Sequence, residues 1–461
     1  MKAKRSFKPK PLGMRFLLVV TFLILFVGIG LMIALVAYAT VKGRPTSSMT
    51  LNLESVLTLV GFFLVMAFLV TMIVFFIKLT ANPKPLPSRD GTAPLTEKKR
   101  TPGESRFYML TKIDKDCAPY RKIDTEPISL KDLCSDFRAY AAANLGLYYS
   151  IDDIRRFITS LTVSHLLLLQ GMSGTGKTSL PYAFGRYMNQ SATVVPIQPM
   201  WKERTDLLGY YNEFTGRFSE TPLLEQLYRA SYSDQLYVVV LDEMNIARVE
   251  YYFAEFLSLL ELPDPKSRYL DVIADERPDD PALLKGGRMQ LPNNVWFVGT
   301  ANNDDSTFAI SDKVYDRAMV MNLDTRAEAF PESKRAERAI SSTMLEELAF
   351  DARKQYGLTF RDLRRVKKLD SYLASRFHIS FGNRILRQIK LYLPVYVACG
   401  GEELEALDDL LAKKVLRKLE AQNPVYVRSE SEGLISYIND LFGEGKMPLC
   451  LAYIERLKLN A

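Results

Sequence analysis

One stretch narrows the possible folds of this chain more than any other: His165-Leu-Leu-Leu-Leu-Gln-Gly171-Met-Ser-Gly174-Thr-Gly176-Lys177-Thr178. Four successive leucines suit a strand covered on both faces, as strands of a parallel sheet are. The strand runs straight into G-x-x-x-x-G-K-T, and helical sequence follows to about Met188. The order matters, because glycines between a strand and a helix let successive backbone N–H groups turn inward around a polyphosphate. The helix aims the positive end of its dipole at the same anion. Lys177 adds a point charge for the β- and γ-phosphates, and Thr178 a hydroxyl for Mg²⁺. The expected phosphate cradle is therefore Gly171, Met172, Ser173, Gly174, Thr175, Gly176, Lys177, Thr178 and Ser179.

Two further apolar runs end in polar groups. Gln235-Leu-Tyr-Val-Val-Val-Leu241 ends in Asp242 and Glu243, and ligands of α/β proteins sit at the carboxyl ends of such strands. There Asp242 can join Thr178 in holding Mg²⁺, while Glu243 orients or deprotonates an attacking water. Asn294-Val-Trp-Phe-Val-Gly-Thr-Ala-Asn302-Asn303 is a third buried strand, ending in amides that can hydrogen-bond the water or the γ-phosphate. Thr193 to Gln198 reads as another short strand. Arg317 follows the strand that ends at Asn302-Asn303, after a short helix; a lone arginine there is by default a solvated surface residue.

Composition matters for the first eighty residues, which are far more apolar than the 48% hydrophobic average of the 461-residue chain. Phe16 to Val41 is uncharged over about 25 residues and Val56 to Ile77 over about 20, each enough for a bilayer core of roughly 30 Å. Lys2, Lys4, Arg5 and Lys8 precede the first run, and Lys78, Lys84 and Arg89 follow the second. Basic flanks at both outer ends place them in the cytoplasm. The expected arrangement is a basic tail (1–15), a transmembrane helix (16–41), a short external loop (42–55) and a second transmembrane helix (56–77). That makes a two-pass membrane protein whose remaining chain is cytoplasmic. A cleaved signal peptide is the rival reading of the first run, given Ala37-Tyr38-Ala39, although that run is longer than a usual signal core. Neither run carries an internal charge that would mark an ion path. The net charge of +7 is attributed to these flanks rather than to a nucleic-acid surface. The 4 cysteines, Cys117, Cys134, Cys399 and Cys450, show no C-x-x-C spacing, and with 2 histidines they assemble no zinc set.

Residues 78–127 have linker composition, with weak alternation from Arg106 to Ile113 read as a short strand. Leu130, Leu133, Phe137, Tyr140 and Leu145 then fall near a 3.6 period, and Ser150-Ile-Asp-Asp looks like a helix start. Between 200 and 220, Trp201, Tyr210, Tyr211, Phe214 and Phe218 among glycines suit a packed surface hairpin or a grip on a partner. From about Pro331 the sequence is helical throughout. The chain thus divides into an α/β core (128–328) and an α-helical end domain (329–461).

With those segments placed, the chain from about Ile128 onward resembles a AAA+ ATPase, nearest to the McrB-like and MoxR-like branch. Gly171 to Thr178 is similar to the Walker A loop. Asp242-Glu243-Met-Asn245, followed by Arg248 and a helix from Tyr251 to Glu261, resembles the Walker B stretch of McrB-like proteins. Trp201 to Tyr210 looks like that branch's Asp-Leu-Leu-Gly-Tyr region, and Val298-Gly-Thr-Ala-Asn302 like its sensor-1 strand. The resemblance implies a P-loop NTPase fold: a parallel sheet flanked by helices, with a C-terminal helical lid, here preceded by the two transmembrane helices. It implies Asn302 (or Asn303) as sensor 1, Arg317 as an arginine finger reaching a neighbouring subunit, and Arg384 as sensor 2 on the γ-phosphate. It also implies ATP with Mg²⁺ and a homo-oligomeric ring, usually a hexamer.

The expected function is a membrane-anchored, ring-forming nucleoside triphosphatase that remodels or signals to an unknown protein partner. ATP is favoured over GTP, since no Asn-Lys-x-Asp guanine motif occurs. The alternatives are a McrB-like nucleic-acid motor or antiphage defence subunit with a separately encoded effector, and a nucleotide-gated membrane scaffold. For nucleic acid, no sequence in which basic and aromatic residues interleave offers a groove.

Overall fold

The computed structural model describes residues 104–302, 307–324 and 326–459. Within them the strands are β1 (Leu166–Gly171), β2 (Thr193–Pro196), β3 (Gly209–Asn212), β4 (Arg217–Glu220), β5 (Tyr237–Asp242), β6 (Tyr269–Asp271), β7 (Arg288–Gln290), β8 (Val295–Asn302) and β9 (Met319–Asn322). Five of these form one sheet in the order β2-β5-β8-β1-β9, with every pairing parallel. The pairs β3–β4 and β6–β7 are separate antiparallel hairpins.

Alternate residues of each central strand enter two different cores, the period-2 consequence of the pleat. Leu167 and Leu169 pack with Val238, Val240, Trp296 and Val298 beneath the helices Leu130–Leu145, Ile151–Leu161 and Ser179–Tyr187 and the C-terminal helices. Leu166 and Leu168 pack with Val239, Leu241, Val295 and Phe297 against the helices Pro222–Ala230, Val249–Tyr252 and Ala254–Leu259. Both faces are covered, so an unbroken leucine run is stable where an exposed face would have required alternation. Full burial of each such side chain is worth about 1.5–3 kcal/mol.

The helix caps follow from local sequence. Ser150 Oγ accepts the N–H of Asp153 at 3.0 Å and opens Ile151–Leu161, while Gly146, at φ 67°, closes Leu130–Leu145 in the left-handed region. From Arg106 to Ile113 the expected strand is instead the start of a helix, Tyr108–Cys117. Phe107, Leu110 and Ile113 are buried at a spacing of three, and both oxygens of the Glu220 carboxylate on β4 accept the N–H groups of Tyr108, Met109 and Leu110 at 2.8–2.9 Å. Just before it, Arg106 is buried and bonds Asp275 at 2.6 Å and Asp280 at 2.7 Å, between β6 and β7. Phe107 stacks on Phe218 of β4. Residues 106–117 are thereby tied to both hairpins.

The helix expected from Tyr251 to Glu261 is broken at Phe253. The C-terminal region begins its helices at Ser342 rather than near Pro331: Ser342–Gln355, Phe360–Phe377, Gly382–Ala398, Glu403–Lys414, Pro424–Phe442 and Pro448–Leu459. Arg156 of the α/β region holds this helical layer, lying 3.2 Å from Glu405 and 3.3 Å from Asp409.

Among the described residues no helix is long and apolar enough to cross a membrane, so the two-pass membrane localisation, and the anchor it implied, is not supported. The longest described helix, Pro424–Phe442, carries Arg428, Glu430, Glu432 and Asp440, and charges of that kind are costly in hydrocarbon. The apolar runs 16–41 and 56–77, with the tail and loop around them, lie outside the described residues.

Candidate functional site

The parallel register aligns the carboxyl ends of the central strands. Gly171 stands beside Asn302, and Leu241 beside Gly299, which sets Asp242 next to Thr300. A cleft of about 460 Å³ opens there, lined by Ser173 to Ser179, Asp242, Glu243, Thr300, Asn302 and Arg326, and on one side by Gly146 to Tyr149. Its size falls in the range of small-molecule and cofactor sites, about 300–1,000 Å³.

The loop between β1 and the helix Ser179–Tyr187 needs its glycines. Gly171 sits at φ 140°, and a Cβ there would come within 2.3 Å of the Leu323 carbonyl oxygen. Gly176, at φ 96°, lies under the Tyr149 hydroxyl, which donates to the Gly176 carbonyl at 3.1 Å. Burial raises the Tyr149 pKa well above the ordinary phenol value, with Asp153 adding to the effect, so the hydroxyl keeps its proton. Arg326 Nε donates to the Gly174 carbonyl at 2.8 Å. Lys177 is buried, its Nζ donating to the carbonyls of Gly171 at 2.9 Å and Met172 at 2.6 Å.

On the opposite wall, one carboxylate gathers the polar groups. Thr178 Oγ1 donates to Asp242 Oδ1 at 2.7 Å, and Thr300 Oγ1 donates to the same oxygen at 2.8 Å. Thr300 Oγ1 in turn accepts the Glu243 N–H at 2.9 Å. Glu243 occupies the left-handed region (φ 52°, ψ 47°), a backbone state that costs a non-glycine residue of order 1–3 kcal/mol and clusters at functional sites. Its exposed side chain lies on the cleft. Behind it, Asn245 Nδ2 donates to the Asn302 carbonyl and to Thr307 Oγ1, both at 2.9 Å, bracing the end of β8 against the turn after β5.

A hydroxyl and a carboxylate oxygen are hard donors of the kind Mg²⁺ takes, usually with one or two protein carboxylates and with substrate phosphates completing its shell. Among the described residues no cluster of three His, Cys, Asp or Glu exists to hold a metal alone. The residues therefore fit a cation brought in with a polyphosphate.

The structure gathers Gly171 to Ser179, Asp242, Glu243 and Asn302 in or around this cleft. It does not bring Arg317 or Arg384 into its lining. Arg317 donates to Glu261 Oε2 at 2.6 Å and to the Lys313 carbonyl at 2.7 Å, and Arg384 bonds the other oxygen of the same Glu261. Asn303 lies outside the described residues. Thr300, Tyr149 and Arg326 escaped sequence reasoning. For Thr300 the signal was present, since it lies two residues before Asn302 on one strand and so on the same face. Tyr149 and Arg326 reach the loop only through tertiary packing.

Residues 166–318 match the family described as AAA domain (dynein-related subfamily). The likeness covers about a third of the chain. The match runs from the first residue of β1 to just past Arg317, and supports a nucleotide-hydrolysing AAA+ protein. No curated protein matches the chain. Among solved structures it is similar to a full-length MCM homolog from Methanopyrus kandleri, with 12% identity and a TM-score of 0.34, over 60% of this chain and 58% of that one. The aligned part is thus less than two thirds of that protein.

Proposed function

We propose that the protein is an ATP-hydrolysing AAA+ enzyme of the McrB-like and MoxR-like kind that works as a homo-oligomeric ring, most simply a hexamer, and uses nucleotide turnover to remodel a partner. The observation that carries the reading is the chain of hydrogen bonds Thr178–Asp242–Thr300–Glu243 at the mouth of the phosphate loop. In this reading the base lies against Gly146 to Tyr149, and the loop N–H groups and Lys177 hold the phosphates. Thr178 and Asp242 would hold a Mg²⁺, which would neutralise charge on the phosphates when bound. Glu243, turned outward by its left-handed backbone, accepts a proton from the attacking water, and Asn302 orients that water.

Hydrolysis also needs a cation to meet the charge that develops on the γ-phosphate. Arg317, paired with Arg384 on Glu261 away from the lining residues, is the group to supply it to an adjoining copy. Charge stabilisation by an arginine given in trans is worth roughly 10³–10⁵ in rate, which makes hydrolysis depend on assembly. Phosphate release by the purified chain with Mg-ATP, measured against protein concentration, tests the proposal. Activity that rises with assembly and vanishes in Lys177→Ala and Glu243→Gln is expected; equal turnover in wild type and both variants would remove it.

A further inference from the structure

The short helix Asp312–Tyr315, which leads into Arg317, is held from the C-terminal helical layer by three basic residues within five positions. Lys414, the last residue of the helix Glu403–Lys414, is 4% exposed, and its Nζ donates to the backbone carbonyls of Tyr315 and Ala318, on either side of Arg317. Arg417 pairs with Asp312, and its guanidinium lies 3.6 Å from the centre of the Tyr315 ring. Lys418 stands 3.6 Å from Asp316. The same tyrosine reaches the other way: Gln170 Nε2, one residue before Gly171 of the phosphate loop, donates to the Tyr315 hydroxyl at 2.5 Å.

Burying an ammonium is expensive unless it is well paired. The carbonyls of Tyr315 and Ala318 compensate that cost in part, and each would lose a donor without the lysine. The position of Lys414 has a different consequence, since it fixes the backbone on both sides of Arg317. We propose that Lys414 is a positioning residue for Arg317: together with Arg417 it clamps the turn 312–318, so that the helical layer of one subunit sets where its arginine stands in the neighbour's cleft. The inference deepens the proposed function and rests on its reading of Arg317 as a group acting in trans.

Mixed assemblies of full-length variants test it. Glu243→Gln subunits keep the arginine but lose their own turnover, whereas Arg317→Ala subunits keep their cleft but offer no arginine. Mixing the two should restore phosphate release. Adding Lys414→Met to the Glu243→Gln subunit should then lower the restored rate about 10–100-fold, the scale of a group displaced by an ångström. Adding it to the Arg317→Ala subunit should leave the restored rate intact, because that subunit's arginine is already gone. A role in folding alone would affect both mixtures alike, and equal behaviour of the two would overturn the proposal. Fluorescent ATP-analogue binding and thermal melting check that each variant is folded. Should Lys414→Met fail to fold, Arg417→Met, which removes the Asp312 pair and the Tyr315 stacking from a more exposed position, is subject to the same asymmetry. No restoration in the parent mixture would overturn the trans reading itself, and this inference with it.

Discussion

Thr178 donates to Asp242 at 2.7 Å although the strands that precede and carry them do not pair. β8 runs between β1 and β5, and it contributes Thr300 to the same carboxylate oxygen. The bond closes the phosphate loop onto the carboxylate strand across a third strand. The geometry of the cleft therefore depends on sheet order as much as on the motifs themselves.

Lys177→Ala should abolish nucleotide binding, because it removes the only loop side chain with a full positive charge. Glu243→Gln should leave binding near wild type and lower turnover by about 10²-fold or more, as loss of a group acting chiefly in the transition state does. Analogue titration alongside phosphate release separates the two. Glu243→Gln binding as poorly as Lys177→Ala would contradict the assigned roles.

Thr300→Val should raise the Mg²⁺ concentration needed for half-maximal hydrolysis. It removes the donor to Asp242 and leaves the Glu243 N–H without its acceptor, at a cost of about 1–3 kcal/mol for an unsatisfied group. Thr300→Ser, which keeps the hydroxyl, should restore the wild-type Mg²⁺ dependence, and a metal titration of turnover reads both.

Arg106→Met should destabilise the fold by about 3–5 kcal/mol, the usual cost of removing one partner from a buried ion pair, because Asp280 is buried with it. The effect should concentrate on the hairpins. Limited proteolysis is expected to cut first between β6 and β7, near Asp275 to Asp280. A melting temperature equal to wild type would show that the pair is dispensable.

His165 makes stability sensitive to mild acid. It is stacked on Trp296, bonded to the Asn293 carbonyl at 2.9 Å, and burial lowers its pKa from 6.5 to about 4, with Arg268 adding to the effect. Between those values the unfolded chain takes up a proton that the folded chain refuses, so its contribution is complete above pH 6.5 and is lost as pH falls towards 4. Urea melts across pH 4 to 7 should show this slope in wild type. In His165→Gln the slope should be shallower.

The local patterns were strong wherever one segment alone carried the physics. The leucine run, the glycine loop, the apolar strands ending in Asp242-Glu243 and Asn302, and the serine starting a helix at 150 were all readable, because period, turn chemistry and capping are properties of neighbouring residues. Short elements were not. The hairpin β6–β7 and the edge strand β9 span three or four residues each, too few for a period to show. The helix Tyr108–Cys117 is capped by Glu220, about a hundred residues away in sequence.

The order of its residues alone points this chain to a covered parallel sheet with a phosphate loop at its carboxyl edge, since four consecutive leucines running into G-x-x-x-x-G-K-T suit a strand buried on both faces. Which polar groups share that edge is settled by packing. Thr300, Tyr149 and Arg326 join the cleft, and Arg317 and Arg384 meet on Glu261 instead. A side chain's partner depends on strand order and helix docking, and these arise from contacts between residues far apart in the sequence.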